Sequence, residues 1–159
     1  MAKKVLIATY SRTGTTAKVA KALYELLPDA DRFTIEVAPG IFSEEMTEVS
    51  EQATKQMETG NFPPLSKTIP NVILYDLILV GSPVWNGAPA TPIHSFLTDL
   101  QGYQGVVAPF YTFGGDPGIF EKTFKEWAGD LQVKAGHGGE KDLAAWVLSL
   151  IHISEPTRR

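Results

Sequence analysis

The sequence contains no cysteine. That excludes disulfide staples, thiol nucleophiles and cysteine-ligated iron–sulfur clusters. Histidine is nearly as scarce, and His94, His137 and His152 lack metal-ligand spacing. No metal site is expected. No apolar run approaches the roughly 20 residues of a membrane span. Met1-Ala2-Lys3-Lys4 leads straight into an apolar segment without the long core and cleavage site of a signal peptide, so a cytoplasmic location is expected. No basic patch stands out in a chain of net charge −4, which argues against nucleic acid as a partner. Several motifs are missing too. No Gly-x-Gly-x-x-Gly follows the first strand, there is no Gly-Lys-Ser/Thr, and the first strand ends without a phospho-acceptor aspartate. Gly136-His137-Gly138-Gly139 is similar to an oxyanion loop, yet it falls late and no Gly-x-Ser-x-Gly accompanies it. No side chain reads as a catalytic acid or nucleophile.

What is present begins with one loop. The apolar run Val5-Leu6-Ile7-Ala8 enters Tyr10-Ser11-Arg12-Thr13-Gly14-Thr15-Thr16, and a helical pattern leaves it at Val19, Ala20, Leu23, Leu26 and Leu27. The first N–H groups of a helix lack internal partners, and the helix dipole adds positive charge there. Four hydroxyls (Ser11, Thr13, Thr15, Thr16) and Gly14 at that point make a phosphate cradle that needs no lysine. The plainer reading is a single Ser or Thr capping the helix.

The remaining pattern alternates. Phe33 to Val37 reads as a second strand, and residues 44–58 as a helix with Met46, Val49, Ala53 and Met57 inward. Glu44, Glu45, Glu48 and Glu51 then form a solvated face. Pro63-Pro64 keep the next segment extended. Tyr75 to Gly81 is a continuous apolar strand, as expected when both faces are covered. Further on come a helix with Ile93, Phe96, Leu97 and Leu100, a strand over 106–111, and a helix capped by Asp116-Pro117 with Phe120, Phe124 and Trp127 inward. A short strand over 131–135 and a last helix with Leu143, Val147, Leu150 and Ile151 complete the pattern. His94 reads as a helix-surface residue. Strands alternating with helices predict an α/β fold, a three-layer doubly wound sheet of five parallel strands. Ligands of such sheets bind beyond the carboxyl ends of the strands. Loops 10–16, 83–90 and 112–118 all leave such ends.

With these residues in hand, the chain resembles the flavodoxin-like family of FMN-binding proteins. Ser11-x-Thr13-Gly14-x-Thr16 matches the family's phosphate loop. Tyr75 to Trp85 looks like its third strand and second flavin loop, and Thr112-Phe113-Gly114-Gly115 like its third loop. The helix at 44–58 followed by Pro63-Pro64 resembles the long connection between strands two and three in the small members. The resemblance spans residues 3–148 and implies strand order 2-1-3-4-5, one domain over 1–148, and FMN as cofactor. Residues 149–159 are then the end of the last helix plus an atypical tail of cloning or assembly origin, with nothing tied to the fold after about Ile151.

The resemblance also assigns the site. Ser11, Thr13, Thr15 and Thr16, with the amides of Arg12, Gly14 and Thr15, would hold the FMN phosphate. The Arg12 side chain either adds to that binding or faces solvent. Pro83, Val84, Trp85, Asn86 and Gly87 would form the second loop. Trp85 either stacks on the isoalloxazine or belongs to the core. A peptide at Trp85, Asn86 or Gly87 would meet flavin N5 and reorient on reduction, unless Asn86-Gly87 is an ordinary turn. Thr112, Phe113, Gly114, Gly115 and Asp116 would edge the pyrimidine, Asp116 doubling as or instead being a helix cap. Many members cover the ring's other face with a third-loop tyrosine. Here the loop has Phe113, with Tyr111 at the strand end. That departure and the mild charge favour a reductase of NAD(P)H or quinone type over a pure electron carrier between proteins. A binding module of the same fold that has lost FMN is the alternative. Either a monomer or a homodimer fits.

Overall fold

The apolar runs form strands because every second residue meets a different helical layer. The computed structural model describes residues 4–11, 14–38, 41–42, 45–85, 87–112, 118–139 and 141–154, apart from the side chains of 46, 47 and 152–154. In chain order the elements are β1 (Val5–Thr9), α1 (Thr15–Leu26), β2 (Asp31–Thr34), α2 (Met46–Thr59), β3 (Leu77–Trp85), β4 (Ala88–Pro89), α3 (Thr91–Asp99), β5 (Val106–Thr112), α4 (Phe120–Ala128), β6 (Gln132–Val133), β7 (His137–Gly138) and α5 (Leu143–Ser154). The sheet order is β2-β1-β3-β5-β6, all parallel, with β4 antiparallel on β3 and β7 parallel on β5. This is the expected doubly wound order, with two short strands added.

Alternation divides the core in two. Leu6, Ala8, Ile78, Val80 and Val107 pack with Val49 and Ala53 of α2, Ile93, Phe96 and Leu97 of α3, and Phe120 and Phe124 of α4. Val5, Ile7, Leu77, Leu79, Ala108 and Phe110 pack on the opposite face with Val19 and Leu23 of α1 and Leu143, Trp146, Val147 and Leu150 of α5. Both sheet faces are therefore dry, which is why these strands are apolar throughout.

Several boundaries differ from expectation for identifiable reasons. β2 lies at Asp31–Thr34, not 33–37, because its register on β1 runs only from Leu6↔Asp31 to Thr9↔Thr34, where β1 ends. Val37 instead makes a single antiparallel bridge to Leu65. β3 continues past Gly81 to Trp85, since β5 pairs with it as far as Pro83↔Thr112. The expected fifth strand is split into β6 and β7. Pro109 brings no N–H to the middle of β5, and Gly136 passes so close that a Cβ there would lie 2.7 Å from the Pro109 carbonyl. α5 continues beyond Ile151 to Ser154. Met57 is exposed rather than inward. The Ser95 hydroxyl donates to the Pro63 carbonyl, fixing the extended Pro63-Pro64 segment against α3.

His94 is not a bare surface residue. Its ring stacks on Phe62 at 3.7 Å, and Trp127, half-buried and packed against the core, meets both rings edge-on at 5.2 and 5.5 Å. Burial pushes the imidazole below its ordinary pKa of 6.5. The folded protein then binds this proton less readily than the unfolded chain, so the stabilisation is complete above the ordinary value and is lost as pH falls below it. The thermal midpoint should drop between about pH 7 and pH 5, and His94→Phe, which keeps a ring and removes the titration, should flatten that part of the profile. An unchanged slope in the variant would show that other groups cause it.

Candidate functional site

The parallel register brings the expected loops to one edge. β1, β3 and β5 are neighbours, and the Tyr10 N–H donates to the Gly81 carbonyl at 2.9 Å, holding the first loop against β3. Gly14 adopts φ 94° at the start of α1, and a Cβ built there meets nothing within 4 Å, so the backbone faces open space. The Ser11 hydroxyl oxygen accepts from the Gly14 N–H at 3.0 Å and the Ala17 N–H at 3.3 Å. With its lone pairs engaged by two donors, its own proton is left to point away from them. Ser11 thus caps the helix and still offers a donor. The two sequence readings of this loop are compatible.

Thr16 has a different task. It is fully buried, and its hydroxyl lies 2.8 Å from that of Thr112. This pair, 96 residues apart, ties the first turn of α1 to the end of β5. Replacing Thr112 by valine should strand a buried hydroxyl and lower the unfolding free energy by about 1–3 kcal/mol, while the Thr16→Val/Thr112→Val pair should cost less than the sum of the singles. Urea denaturation of the four proteins checks this, and strict additivity would contradict a coupled pair.

The second loop is a hairpin. Trp85↔Ala88 and Val84↔Pro89 pair across positions 86 and 87, with Gly87 at φ 76°. Ser82, fully buried, accepts from the Ala90 N–H at 2.9 Å and donates to the Pro83 carbonyl at 2.7 Å, pinning both arms. Sequence reasoning passed over Ser82, although its place at the strand–hairpin junction was a usable sign. The Gly87 carbonyl accepts from the Ile119 N–H at 3.0 Å. Gly118, at φ 66°, passes so close that a Cβ there would lie 2.8 Å from Gly87 Cα. This contact delays α4, which starts at Phe120 with Ile119 as its cap, in place of the expected Asp116-Pro117 cap.

Trp85 is 6 % exposed, with its ring edge-on to Tyr10 at 5.7 Å and Phe42 at 5.2 Å. That is the core placement of its two readings. Tyr111 is buried, stacked on Phe120 at 4.3 Å, and its hydroxyl donates to Glu121 Oε2 at 2.6 Å. Burial first, then the Glu121 hydrogen bond and charge, push the phenol well above its ordinary value. A tyrosine so engaged is not placed to cover a ligand. The other Glu121 oxygen accepts from the Gly136 N–H at 2.9 Å. Among the sequence-derived site residues, Ser11, Gly14, Thr15, Thr16, Pro83, Val84, Trp85, Gly87 and Thr112 are brought to this edge. Arg12, Thr13, Asn86, Phe113, Gly114, Gly115 and Asp116 lie outside the described residues. Among the described residues there is no cluster suited to a metal ion and no helix long and apolar enough to cross a membrane.

The sequence profile described as flavodoxin matches residues 4–148. The chain belongs to the flavodoxin family. A flavoprotein of Lactobacillus acidophilus, solved in complex with FMN, is 34% identical with a TM-score of 0.86, the match covering 92% of this chain and 99% of that one. The apo form of the flavoprotein from the same organism gives 36% identity and a TM-score of 0.74 over 92% and 98%. A protein of Bacteroides eggerthii gives 26% and 0.80 over 94% and 98%. A search of curated proteins finds no match.

Proposed function

We propose that this flavodoxin-family chain binds FMN non-covalently at the carboxyl edge of its sheet and works as a redox protein, with reductase-type turnover of NAD(P)H or quinone as its role. The observation that carries the binding reading is the first loop: a donor-bearing Ser11, an open backbone at Gly14, and a helix start behind them. The similarity to a protein solved with FMN supports it. When bound, the flavin supplies the hydride and electron chemistry, and the protein supplies position and electrostatics.

In this reading Ser11, with Thr13, Thr15 and the loop amides, grips the phosphate, while Thr16 holds the first loop to β5 through Thr112. The hairpin at 83–87 faces the ring, and Trp85 underpins it. The Gly87 carbonyl is committed to Ile119. Any peptide that reorients toward the ring is therefore the one joining Trp85 to Asn86 or Asn86 to Gly87. Phe113 to Asp116 edge the pyrimidine. With Tyr111 held by Glu121, one ring face stays open to a substrate where Phe113 does not cover it, the arrangement a reductase role needs, and the net charge of −4 points the same way. A cytoplasmic setting and a monomeric or homodimeric state are part of the same reading.

The test is a visible absorption titration with FMN, followed by NAD(P)H oxidation with quinone as acceptor. Shifted flavin bands saturating at one FMN per chain and quinone-dependent NAD(P)H consumption are expected. Binding without turnover would leave a shuttle between proteins. No binding at micromolar FMN would leave only a binding module of this fold.

A further inference from the structure

A groove of about 390 Å³ runs from the first loop down between α1 and β2. Its upper end is formed by Ser11 and Gly14, and its wall continues down α1 through Ala17, Lys21 and Tyr24. From Gly14 to Tyr24 is roughly 15 Å of helix, much longer than a phosphate group. The opposite wall is β2, with Arg32 and Thr34.

The lining has a single sign of charge. Lys21 and Arg32 both border the groove and no carboxylate does, in a chain whose net charge is −4. Among the described residues neither cation has an ion-pair partner, the two salt bridges there being Lys4–Asp31 and Lys67–Glu36. The Arg32 guanidinium lies over the Tyr24 ring at 3.9 Å. Stacked in this way it is already ordered, and a guanidinium both forks onto phosphate oxygens and offers a flat face to a base. The Tyr24 phenol is pushed up to about 12, by burial and against the lowering effect of Arg32, so it adds no negative charge. Thr9 also lines the groove. Its hydroxyl oxygen is sealed beneath that lining, with no hydrogen-bond partner among the described residues. The volume is within the range of small-ligand pockets.

We infer that this groove binds a nucleoside phosphate, with Lys21 and Arg32 holding its anionic group next to the flavin phosphate loop. The inference rests on the FMN reading for that neighbour, and on its own charge and shape for the rest. Two sources share this chemistry: the adenylate half of FAD, continuing from the flavin phosphate, and a separate adenine nucleotide beside bound FMN.

Calorimetry with FMN, FAD and ADP on the wild type and on Lys21→Gln/Arg32→Gln tests it. Both positions are exposed, and an unchanged thermal midpoint confirms that the variant folds. ADP binding to FMN-loaded protein, weakened about tenfold or more in the variant with FMN affinity unchanged, assigns a separate nucleotide. FAD binding tighter than FMN, with the advantage lost in the variant, assigns a joined one. Equal affinities in both proteins, or no ADP binding and no FAD advantage, overturn the inference. Should FMN fail to bind while ADP binds in a Lys21- and Arg32-dependent way, the flavin reading falls and the groove assignment stands.

Discussion

Gly81→Ala is expected to lower the unfolding free energy by about 3 kcal/mol, at the upper end of overpacking costs. Gly81 pairs with Phe110 across β3 and β5, and the Phe110 ring lies over it. A Cβ there would sit 2.3 and 2.4 Å from two ring atoms, closer than any real contact. The ring has nowhere to retreat. Phe110 is fully buried, and Trp146 meets it edge-on at 6.4 Å. The thermal midpoint should fall by roughly 6–12 °C for a chain of this size. Phe110→Leu, destabilising alone, should recover part of the loss in the Gly81→Ala background, because it removes the atoms the methyl meets. A midpoint within about 2 °C of wild type for Gly81→Ala would show that the ring moves freely.

Ser11→Ala is expected to weaken FMN binding about 50-fold, or about 2.3 kcal/mol. Two losses add. The Gly14 and Ala17 amides lose their acceptor, a cap worth about 1 kcal/mol. The phosphate loses a donor to a charged group, worth about 1.5–3 kcal/mol. Part of the first loss appears in both bound and free protein, so the total in affinity is less than the sum. Ser11→Thr keeps the hydroxyl and should retain most of the affinity. Fluorescence titration with FMN, beside thermal unfolding, separates the effects. A lowered midpoint with unchanged FMN affinity would reduce Ser11 to a helix cap.

What the sequence made legible follows from period and loop chemistry. The apolar β1, β3 and β5 and the periodic faces of α1 and α3 announced a two-faced parallel sheet, and glycine and hydroxyls at 11–16 announced a backbone-led loop at its edge. What stayed hidden needed tertiary neighbours. Nothing local links Thr16 to Thr112, and only the parallel β1-β3-β5 register makes them meet. Asp116-Pro117 has the chemistry of a helix start, yet the Gly118–Gly87 contact and the Ile119 hydrogen bond move the start to Phe120. Trp85 sits in a loop by sequence, but Tyr10 and Phe42 close around it. The groove beside α1 was invisible for the same reason, since Lys21 and Arg32 face one space only after β2 has docked.

The most direct test of the central claim is calorimetry of the wild-type protein with FMN and with riboflavin, which differ by the phosphate that the first loop is proposed to hold. One FMN per chain, with riboflavin bound about 100-fold more weakly, is the predicted result and corresponds to about 2.7 kcal/mol for the phosphate. Equal affinity for the two, or no binding of FMN, would contradict a phosphate-gripping loop at residues 11–16.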